Sequence, residues 1–181
     1  MLATPEVTIR KIEAVTTLQD GDLSAMARIS TAIDPDLPTS ADELRTVISE
    51  HEPLRVAHGW LIADDARTGE AVGYAWYHQI PWSFHPGKYR IRGGVHPDWQ
   101  RRGIGHRLMI EILTILRAAE AQRIKVRVRE DRARAIAFVQ RFGFAEHARS
   151  FESSLAAAAC DLSRFTDYTE RIAPYGIVLT N

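Results

Sequence analysis

The sequence has 181 residues, 45% of them hydrophobic and 25% charged, proportions that are ordinary for a globular domain and exclude a disordered or collagen-like chain. Its 23 basic and 23 acidic residues give a net charge of zero, so we expect neither nucleic acid nor an anionic membrane as a partner. A single cysteine, Cys160, excludes an intramolecular disulfide and a thiolate metal cluster. We therefore predict a cytoplasmic protein with neither a secretory signal nor a membrane span.

The first half of the chain alternates between strand and helix patterns. Apolar and polar residues alternate at residues 7–12, as in a half-buried strand, and helical spacing follows up to Pro35. Ser40 and Glu43 match a capping box, in which each side chain bonds to a backbone N–H at the start of a helix. The predicted elements of this half are a strand at 7–12, helices at 18–33 and 40–52, a hairpin of strands at 55–64 and 71–80, and a strand at 88–95.

The second half of the chain continues with alternating helices and strands. Apolar residues at helical spacing mark the longest helix of the sequence, at residues 102–122. The other predicted elements are a strand at 123–129, a helix at 133–141 that ends before Gly143, a strand from Phe144, a helix at 163–173 and an extended run at 174–179. Together the elements predict an α/β fold, with a mixed, mostly antiparallel central sheet and helices on both faces.

The segment from Val95 to Leu108 carries the strongest functional signal. A strand ends there, a turn with Gly103 and Gly105 follows, and the longest helix begins. The first N–H groups of a helix lack partners and carry partial positive charge, and glycines let a phosphate approach the backbone. The pattern indicates an anion site, although glycines that only permit a tight turn also explain it. Leu108 stands where a dinucleotide-binding motif needs its third glycine, which disfavours that fold.

Two blocks of the sequence match a known pattern. Residues 100–105, Gln-Arg-Arg-Gly-Ile-Gly, fit Q/R-x-x-G-x-G/A, and residues 95–97, Val-His-Pro, fit the Val-x-Pro that precedes it. Residues 135–144 fit A-I-x-F-Y-x-x-x-G-F except at Val139. With these motifs and its order of elements over residues 7–149, the chain resembles the GNAT superfamily of acyl-CoA-dependent N-acyltransferases.

The resemblance implies a domain, a reaction and a set of contacts. Residues 1–152 would form a GNAT acetyltransferase domain, and residues 153–181 resemble the helix-plus-strand connection between the halves of tandem GNAT proteins. Acetyl-CoA would be the co-substrate, and a small-molecule primary amine would attack its thioester directly. The cofactor contacts that the resemblance implies come from Gly94, Val95, Arg101, Arg102, Gly103, Ile104, Gly105, His106, Arg132 and Phe138.

The sequence departs from the family pattern where the chemistry takes place. Val139 replaces a Tyr that commonly protonates the leaving thiolate, and Arg132 replaces an Asn that commonly helps to hold the cofactor. We predict His96 and Tyr89, near the fourth strand, as acid/base groups in their place. A histidine in a Val-His-Pro turn is, however, more often a surface or backbone-bonded residue. The remaining candidates are Tyr77, His78 and Glu130.

Two further patterns leave the acceptor open. Aromatic residues around the third and fourth strands either line an acceptor pocket or pack across the hairpin; they are Trp76, Tyr77, Trp82, Phe84 and Tyr89. Lys125, Arg127 and Arg129 on the fifth strand either bind an acidic acceptor, pair with carboxylates or face another domain. No histidine spacing predicts a metal site. The alternative to an enzyme is a non-catalytic acyl-CoA-binding or structural domain that supports a second GNAT domain or a homodimer.

Overall fold

The computed structural model describes residues 6–51, 56–151, 153, 158, 161, 167, 171 and 173–176. They belong to two compact units, Met1–Arg132 and Ala133–Asn181, each of which is described by itself. Within the described ranges, none of the helices has the length and apolar character needed to cross a membrane. The same ranges contain no group of three or more His, Cys, Asp or Glu side chains that could hold a metal ion.

The described residues of the first unit form a five-stranded sheet in which spatial order follows chain order. Its strands are β1 (Val7–Ile12), β2 (His58–Asp65), β3 (Ala71–His78), β4 (Lys88–Val95) and β5 (Arg123–Val126). Neighbours from β1 to β4 run antiparallel, whereas β5 runs parallel to β4 because the chain crosses over through a helix between them. The prediction of a mixed, mostly antiparallel sheet is confirmed.

Four helices lie in the described part of the chain. They are α1 (Asp20–Ile33), α2 (Ala41–His51) and α3 (Ile104–Ala118) in the first unit and α4 (Ala133–Gln140) in the second. The predicted capping box of α2 is confirmed, because the Ser40 N–H donates to Glu43 Oε2 over 2.8 Å and the Glu43 N–H donates to Ser40 Oγ over 3.1 Å. Gln19 and Asp22 form a second capping box at the start of α1, which the sequence analysis did not predict.

Helices α1 and α2 cover one face of the sheet. Apolar side chains of both helices pack against β2 and β3 in a cluster that includes Leu23, Met26, Leu44, Ile48, Trp60, Ile62 and Trp76. Arg10 of β1 joins this face to α1, since its guanidinium lies 2.5 Å from Asp64 and 2.8 Å from Asp22. Hydrogen bonds to Asp64 and then to Asp22 hold the pKa of Arg10 above its ordinary value.

Helix α3 covers the opposite face. Successive strand residues point to opposite faces of a sheet, so Gly73 and Lys11 lie on the face that Trp76 and Arg10 do not. The Cδ1 of Leu108 in α3 lies 3.3 Å from where a Cβ on Gly73 would be, and Lys11 pairs with Glu111 of α3 over 2.7 Å. The buried residues of α3 are Ile104, Leu108, Met109, Ile112 and Leu116. Helices on both faces are therefore confirmed.

Several predicted elements differ from the structure; for example, β2 begins at His58 rather than at residue 55, and β3 ends at His78 rather than at residue 80. Helix α3 ends at Ala118 rather than at residue 122, since Glu120 takes a positive φ of 54° that a helix does not allow. Strand β5 ends at Val126 rather than at residue 129. The strand predicted from Phe144 is wrong for residues 144–151, which form no strand. Residues 145–150 are exposed and mostly polar, so they have no apolar face with which to pack against a sheet.

The predicted C-terminal elements lie mostly outside the described residues. Of the helix predicted at 163–173, only residues 167, 171 and 173 are described. A 3-10 turn at Ala173–Tyr175 occupies the start of the predicted extended run, and residues 177–179 lie outside the described residues.

Candidate functional site

The candidate site begins where β4 and β5 part. The two strands pair from Lys88 opposite Arg123 to Ile91 opposite Val126. Beyond that point β4 continues to Val95. Among the described strands, residues 92–95 of β4 pair only with β3, from Arg92 opposite Trp76 to Val95 opposite Gly73. The edge of β4 that faces away from β3 therefore carries backbone N–H and C=O groups with no partner strand in the described residues. Such an edge can hydrogen-bond to an extended ligand.

Two glycines shape this open segment of β4. Gly93 has a φ of +148°, and a Cβ on it would lie 2.3 Å from the backbone oxygen of Tyr74. A Cβ on the predicted contact residue Gly94 would lie 2.3 Å from Cδ1 of Ile33 in α1. The sequence analysis did not single out Gly93, and the signal available for it was the glycine pair itself inside a strand.

A short turn with defined hydrogen bonds joins β4 to α3. The His96 N–H donates to the Val72 carbonyl over 2.8 Å, which continues the sheet one residue beyond Val95. Gln100 Nε2 donates to the Val95 carbonyl over 3.0 Å and so ties the start of the glycine turn back to the end of β4. This contact gives the Gln of the motif a structural role, namely holding the turn closed.

The arginines of the turn differ in their contacts. Arg102 donates to the Asp98 carbonyl over 2.9 Å, and its guanidinium carbon lies 4.8 Å from the centre of the Trp99 ring. Arg101 is exposed and takes a positive φ of 64°. Both residues come directly before the N-terminus of α3, and their positive charge would attract an anion to this end of the helix.

The start of α3 offers an open group of backbone donors. Gly103 is the N-cap residue, with a φ of +81°, and its carbonyl accepts the N–H of Arg107 over 3.0 Å. No heavy atom lies within 4 Å of where a Cβ on Gly103 would be, so the space in front of the helix is open. The first N–H groups of the helix, at Ile104 and Gly105, come before the i−4 bond of Arg107 and point out of the end of the helix. A diphosphate group fits such a donor set.

The two predicted acid/base residues lie apart. His96 is 22% exposed, and its Nδ1 accepts the N–H of Asp98 over 3.4 Å. Because Nδ1 is the acceptor, the ring hydrogen lies on Nε2, which can donate it to a ligand. Tyr89 is buried, lies opposite Ile124 and has its ring 6.4 Å from that of Tyr77. It precedes Val95 by six residues, about 20 Å along the strand.

The other candidate side chains near the sheet are also spread out. Tyr77 is buried, and this burial raises the pKa of its phenol, with Glu13 and Tyr89 adding to the rise. Trp76 points to the opposite face, where its ring stacks 6.0 Å from that of Trp60. Trp82 and Phe84 are 77% and 57% exposed. The aromatic residues therefore do not form a single lining.

Arg132 is held by acidic residues. Its Nη2 lies 3.3 Å from Asp34 Oδ1 at the C-terminal end of α1, and Arg129 Nη1 lies 2.8 Å from the same oxygen. Arg129 also binds Asp131, and this hydrogen bond lowers the pKa of the Asp131 carboxyl. A phosphate would have to compete with Asp34 for Arg132.

Phe138 lies in the second unit. On α4 its ring meets that of Phe142 edge to face, with centroids 5.3 Å apart. The N–H groups of Phe142 and Phe144 both donate to the Val139 carbonyl, over 3.0 and 3.3 Å, and end the helix. The contact of Phe138 with a cofactor stays a prediction.

The sequence profile described as the acetyltransferase (GNAT) family matches residues 20–144. Among curated proteins none is matched. Solved structures with the same fold include an acetyltransferase of Trypanosoma brucei, at 20% identity and a TM-score of 0.60, with 83% of this chain and 100% of that chain covered.

Two further solved structures are complexes with a ligand. One is an aminoglycoside acetyltransferase from an uncultured soil metagenomic sample in complex with sisomicin, at 16% identity and a TM-score of 0.61, with 83% of this chain and 97% of that chain covered. The other is the yncA protein of Salmonella typhimurium with its cofactor acetyl-CoA, at 19% identity and a TM-score of 0.59, with 78% of this chain and 81% of that chain covered. At these identities the likeness is one of fold.

Proposed function

The chain belongs to the GNAT acetyltransferase family, and on that premise we propose that it transfers an acetyl group from acetyl-CoA to the nitrogen of a small-molecule primary amine. The structures bound to acetyl-CoA and to sisomicin support both halves of this proposal by likeness of fold. The chain itself supplies the backbone groups that we propose bind acetyl-CoA and the side chains that we propose transfer a proton.

The observation that carries the proposal is the junction of β4 with α3. The open edge of β4 at residues 92–95 leads through the Gln100-braced turn directly to the donors at the start of α3. A strand edge suits the amide-bearing pantetheine arm, and a helix N-terminus suits the diphosphate. In this proposal Gly94 and Val95 bind the arm, and residues 101–106 bind the diphosphate.

The proposed reaction is a direct displacement. The amine nitrogen forms a bond to the thioester carbonyl carbon, the carbon–sulfur bond breaks, and CoA leaves as a thiolate that takes up a proton. The amine loses a proton to water, and His96 at the end of β4, whose Nε2 carries the hydrogen while Nδ1 accepts, is the group that we propose donates a proton to the thiolate, directly or through water. Tyr89 stays the second candidate, at the buried end of the same strand.

A second function is an acyl-CoA-binding domain without catalysis. Two observations favour it: Val139 cannot protonate a thiolate, and Arg132 is engaged by Asp34. It shares the cofactor site with the enzyme and differs only in turnover. We propose that residues 1–152 carry the activity and that residues 153–181 form an extension.

We predict that Gly103→Glu lowers the affinity for acetyl-CoA by at least about 100-fold, because a carboxylate would occupy the open space at the positive end of α3. Isothermal titration calorimetry of acetyl-CoA and desthio-CoA measures this change. The matched control is Gly69→Glu, since Gly69 has a similar φ of +72° and equally open surroundings but lies in the β2–β3 turn. Equal affinity in wild type and Gly103→Glu would refute the cofactor site.

Release of the CoA thiol in the presence of an amine panel then separates the two functions. Micromolar binding of acetyl-CoA with turnover of any amine supports the acetyltransferase. Binding without turnover supports the non-catalytic domain.

A further inference from the structure

Four cationic side chains form a group on the α1/α2 face of the sheet. Arg90 and Arg92 of β4 alternate onto the same face as Trp76 and His78 of β3, which lie opposite them. Lys125 lies opposite Arg90, and Arg127, just past the end of β5, is close enough for its charge to act on Arg90. We call Arg90, Arg92, Lys125 and Arg127 the basic surface.

The pairing of β4 with β5 brings like charges together, which lowers the stability of the fold. Parallel pairing sets Arg90 beside Lys125, and Arg92 and Arg127 are the first residues beyond the last pair of the two strands. Like charges that face each other across neighbouring strands destabilise a sheet. The crowding is visible at Arg90, where burial and then the charges of Arg127 and Arg92 lower the pKa.

No carboxylate in the described part of the chain forms an ion pair with any of the four residues of the basic surface. The neighbouring arginines behave differently, because Arg129 and Arg132 bind Asp34 and Asp131. The whole sequence has no net charge, so the excess of positive charge at the basic surface is a local feature of the fold.

The basic surface lies at the parting of the two strands. Arg92 is the first residue of β4 beyond the last pair with β5, and Arg127 is the first residue after β5 ends. Arg92, Lys125 and Arg127 are exposed, and Arg90 is partly buried. The guanidinium carbon of Arg92 lies 5.8 Å from the centre of the Trp76 ring, which limits its freedom on one side. The contact with Trp76 reduces the side-chain entropy that Arg92 would lose on binding an anion.

We propose that the basic surface binds an anionic group, a carboxylate or a phosphate, carried by the acceptor amine. This inference rests on the proposed function, because the same strands open to the thioester there. Arginine forks suit both anions, since they donate paired N–H groups to two oxygens. The acceptor class is then an acidic amine, and a polycation such as an aminoglycoside is disfavoured by repulsion.

The test uses two matched pairs of amines with the full chain. O-phosphoethanolamine is compared with ethanolamine, and β-alanine is compared with β-alaninamide, so that phosphate and carboxylate are tested separately. For the wild type we expect kcat/KM with at least one anionic amine to exceed that of its neutral counterpart by at least about tenfold. Sisomicin serves as the polycationic probe and is expected to show no turnover.

The test variant is the double change Arg92→Gln and Arg127→Gln. It is expected to abolish the preference for the anionic amine while the affinity for CoA stays within about twofold. Its matched control is Arg67→Gln with Arg117→Gln, which removes two exposed arginines from the β2–β3 turn and the end of α3 and so reaches the same net charge. The control is expected to keep the preference, and thermal unfolding checks that both variants fold.

A direct titration keeps this inference separate from the proposed function. Calorimetry of O-phosphoethanolamine and β-alanine into the CoA-bound chain is expected to show binding that the Arg92→Gln/Arg127→Gln variant loses by at least about tenfold. No binding of either anionic amine in the presence of bound CoA would overturn the inference and leave the cofactor site intact. A loss of CoA affinity in the test variant would assign the basic surface to the cofactor instead. Absence of CoA binding in the wild type would overturn the proposed function itself.

Discussion

Two adjacent glycines in β4 illustrate how much depends on single residues at this site. At Gly93 the obstacle to a side chain is the backbone oxygen of Tyr74, which belongs to the paired strand and cannot move without breaking the sheet. At Gly94 the obstacle is the terminal methyl of Ile33, which can rotate away. The two adjacent glycines are therefore required for two different physical reasons.

We predict that Gly93→Ala lowers the free energy of unfolding by at least about 2 kcal/mol, because the new Cβ adds a backbone clash to a φ that only glycine tolerates. Gly94→Ala serves as the matched comparison and should cost about 1 kcal/mol, the price of moving one side chain in a packed layer. Urea unfolding followed by circular dichroism measures both. A Gly93→Ala variant as stable as Gly94→Ala would contradict the close approach of Tyr74.

At the scale of elements, the turn between β2 and β3 is closed by one carboxylate. Asp65 accepts the Thr68 hydroxyl over 2.8 Å and the Arg67 N–H over 3.3 Å. Its own N–H and carbonyl pair with Glu70 and Gly69, so the side chain and the backbone close the same loop. Turn closure of this kind is local chemistry, which explains why the hairpin was predicted correctly.

The hydrogen bond from Thr68 lowers the pKa of Asp65 below its ordinary value of 3.8. A carboxyl with a lower pKa in the folded state stabilises the fold above its unfolded pKa, and this stabilisation is lost as the pH falls through the folded pKa. We therefore predict that Thr68→Val raises the Asp65 midpoint in an NMR pH titration. The variant should also lose less stability than the wild type between pH 4 and pH 2. An unchanged midpoint would show that the Thr68 bond does not govern Asp65.

At the scale of the whole molecule, the first unit has two apolar layers on one sheet. The layer under α1 and α2 and the layer under α3 share the strands β2 and β3, so a defect in either layer weakens the same sheet. Small units with a shared core unfold in a single cooperative step. We expect the stability of the first unit to respond to both layers in one transition.

We predict that Ile112→Ala on the inner side of α3 costs about 2–5 kcal/mol, because Ile112 is fully buried and a cavity would remain. Ile110→Ala is the matched control on the same helix, and since Ile110 is 46% exposed its cost should stay below about 1 kcal/mol. Met26→Ala, in the layer under α1, should lower the same unfolding midpoint as Ile112→Ala. Two separate transitions in either variant would contradict a shared core.

Much of the fold could be predicted because its signals lie close together in the chain. The capping box of α2 needs only Ser40 and Glu43, and the strand and helix patterns need only their own periodicity. The strand from Phe144 failed because residues 145–150 lack the alternation on which such a prediction depends. The glycine turn at Gly103 was placed correctly at the start of α3, since glycine is the residue that most readily takes a positive φ.

The sequence by itself thus determined the order of the elements, the α3 N-terminus and the family of the chain, because each depends on neighbouring residues. Only the tertiary structure decided which cations are neutralised: Arg132 meets Asp34 from 98 positions away, while Arg92 and Arg127 form no ion pair with a carboxylate in the described part of the chain. It also decided where β4 loses its partner and which backbone stands behind Gly93. These features depend on strand register, which brings distant residues together and which no local pattern specifies.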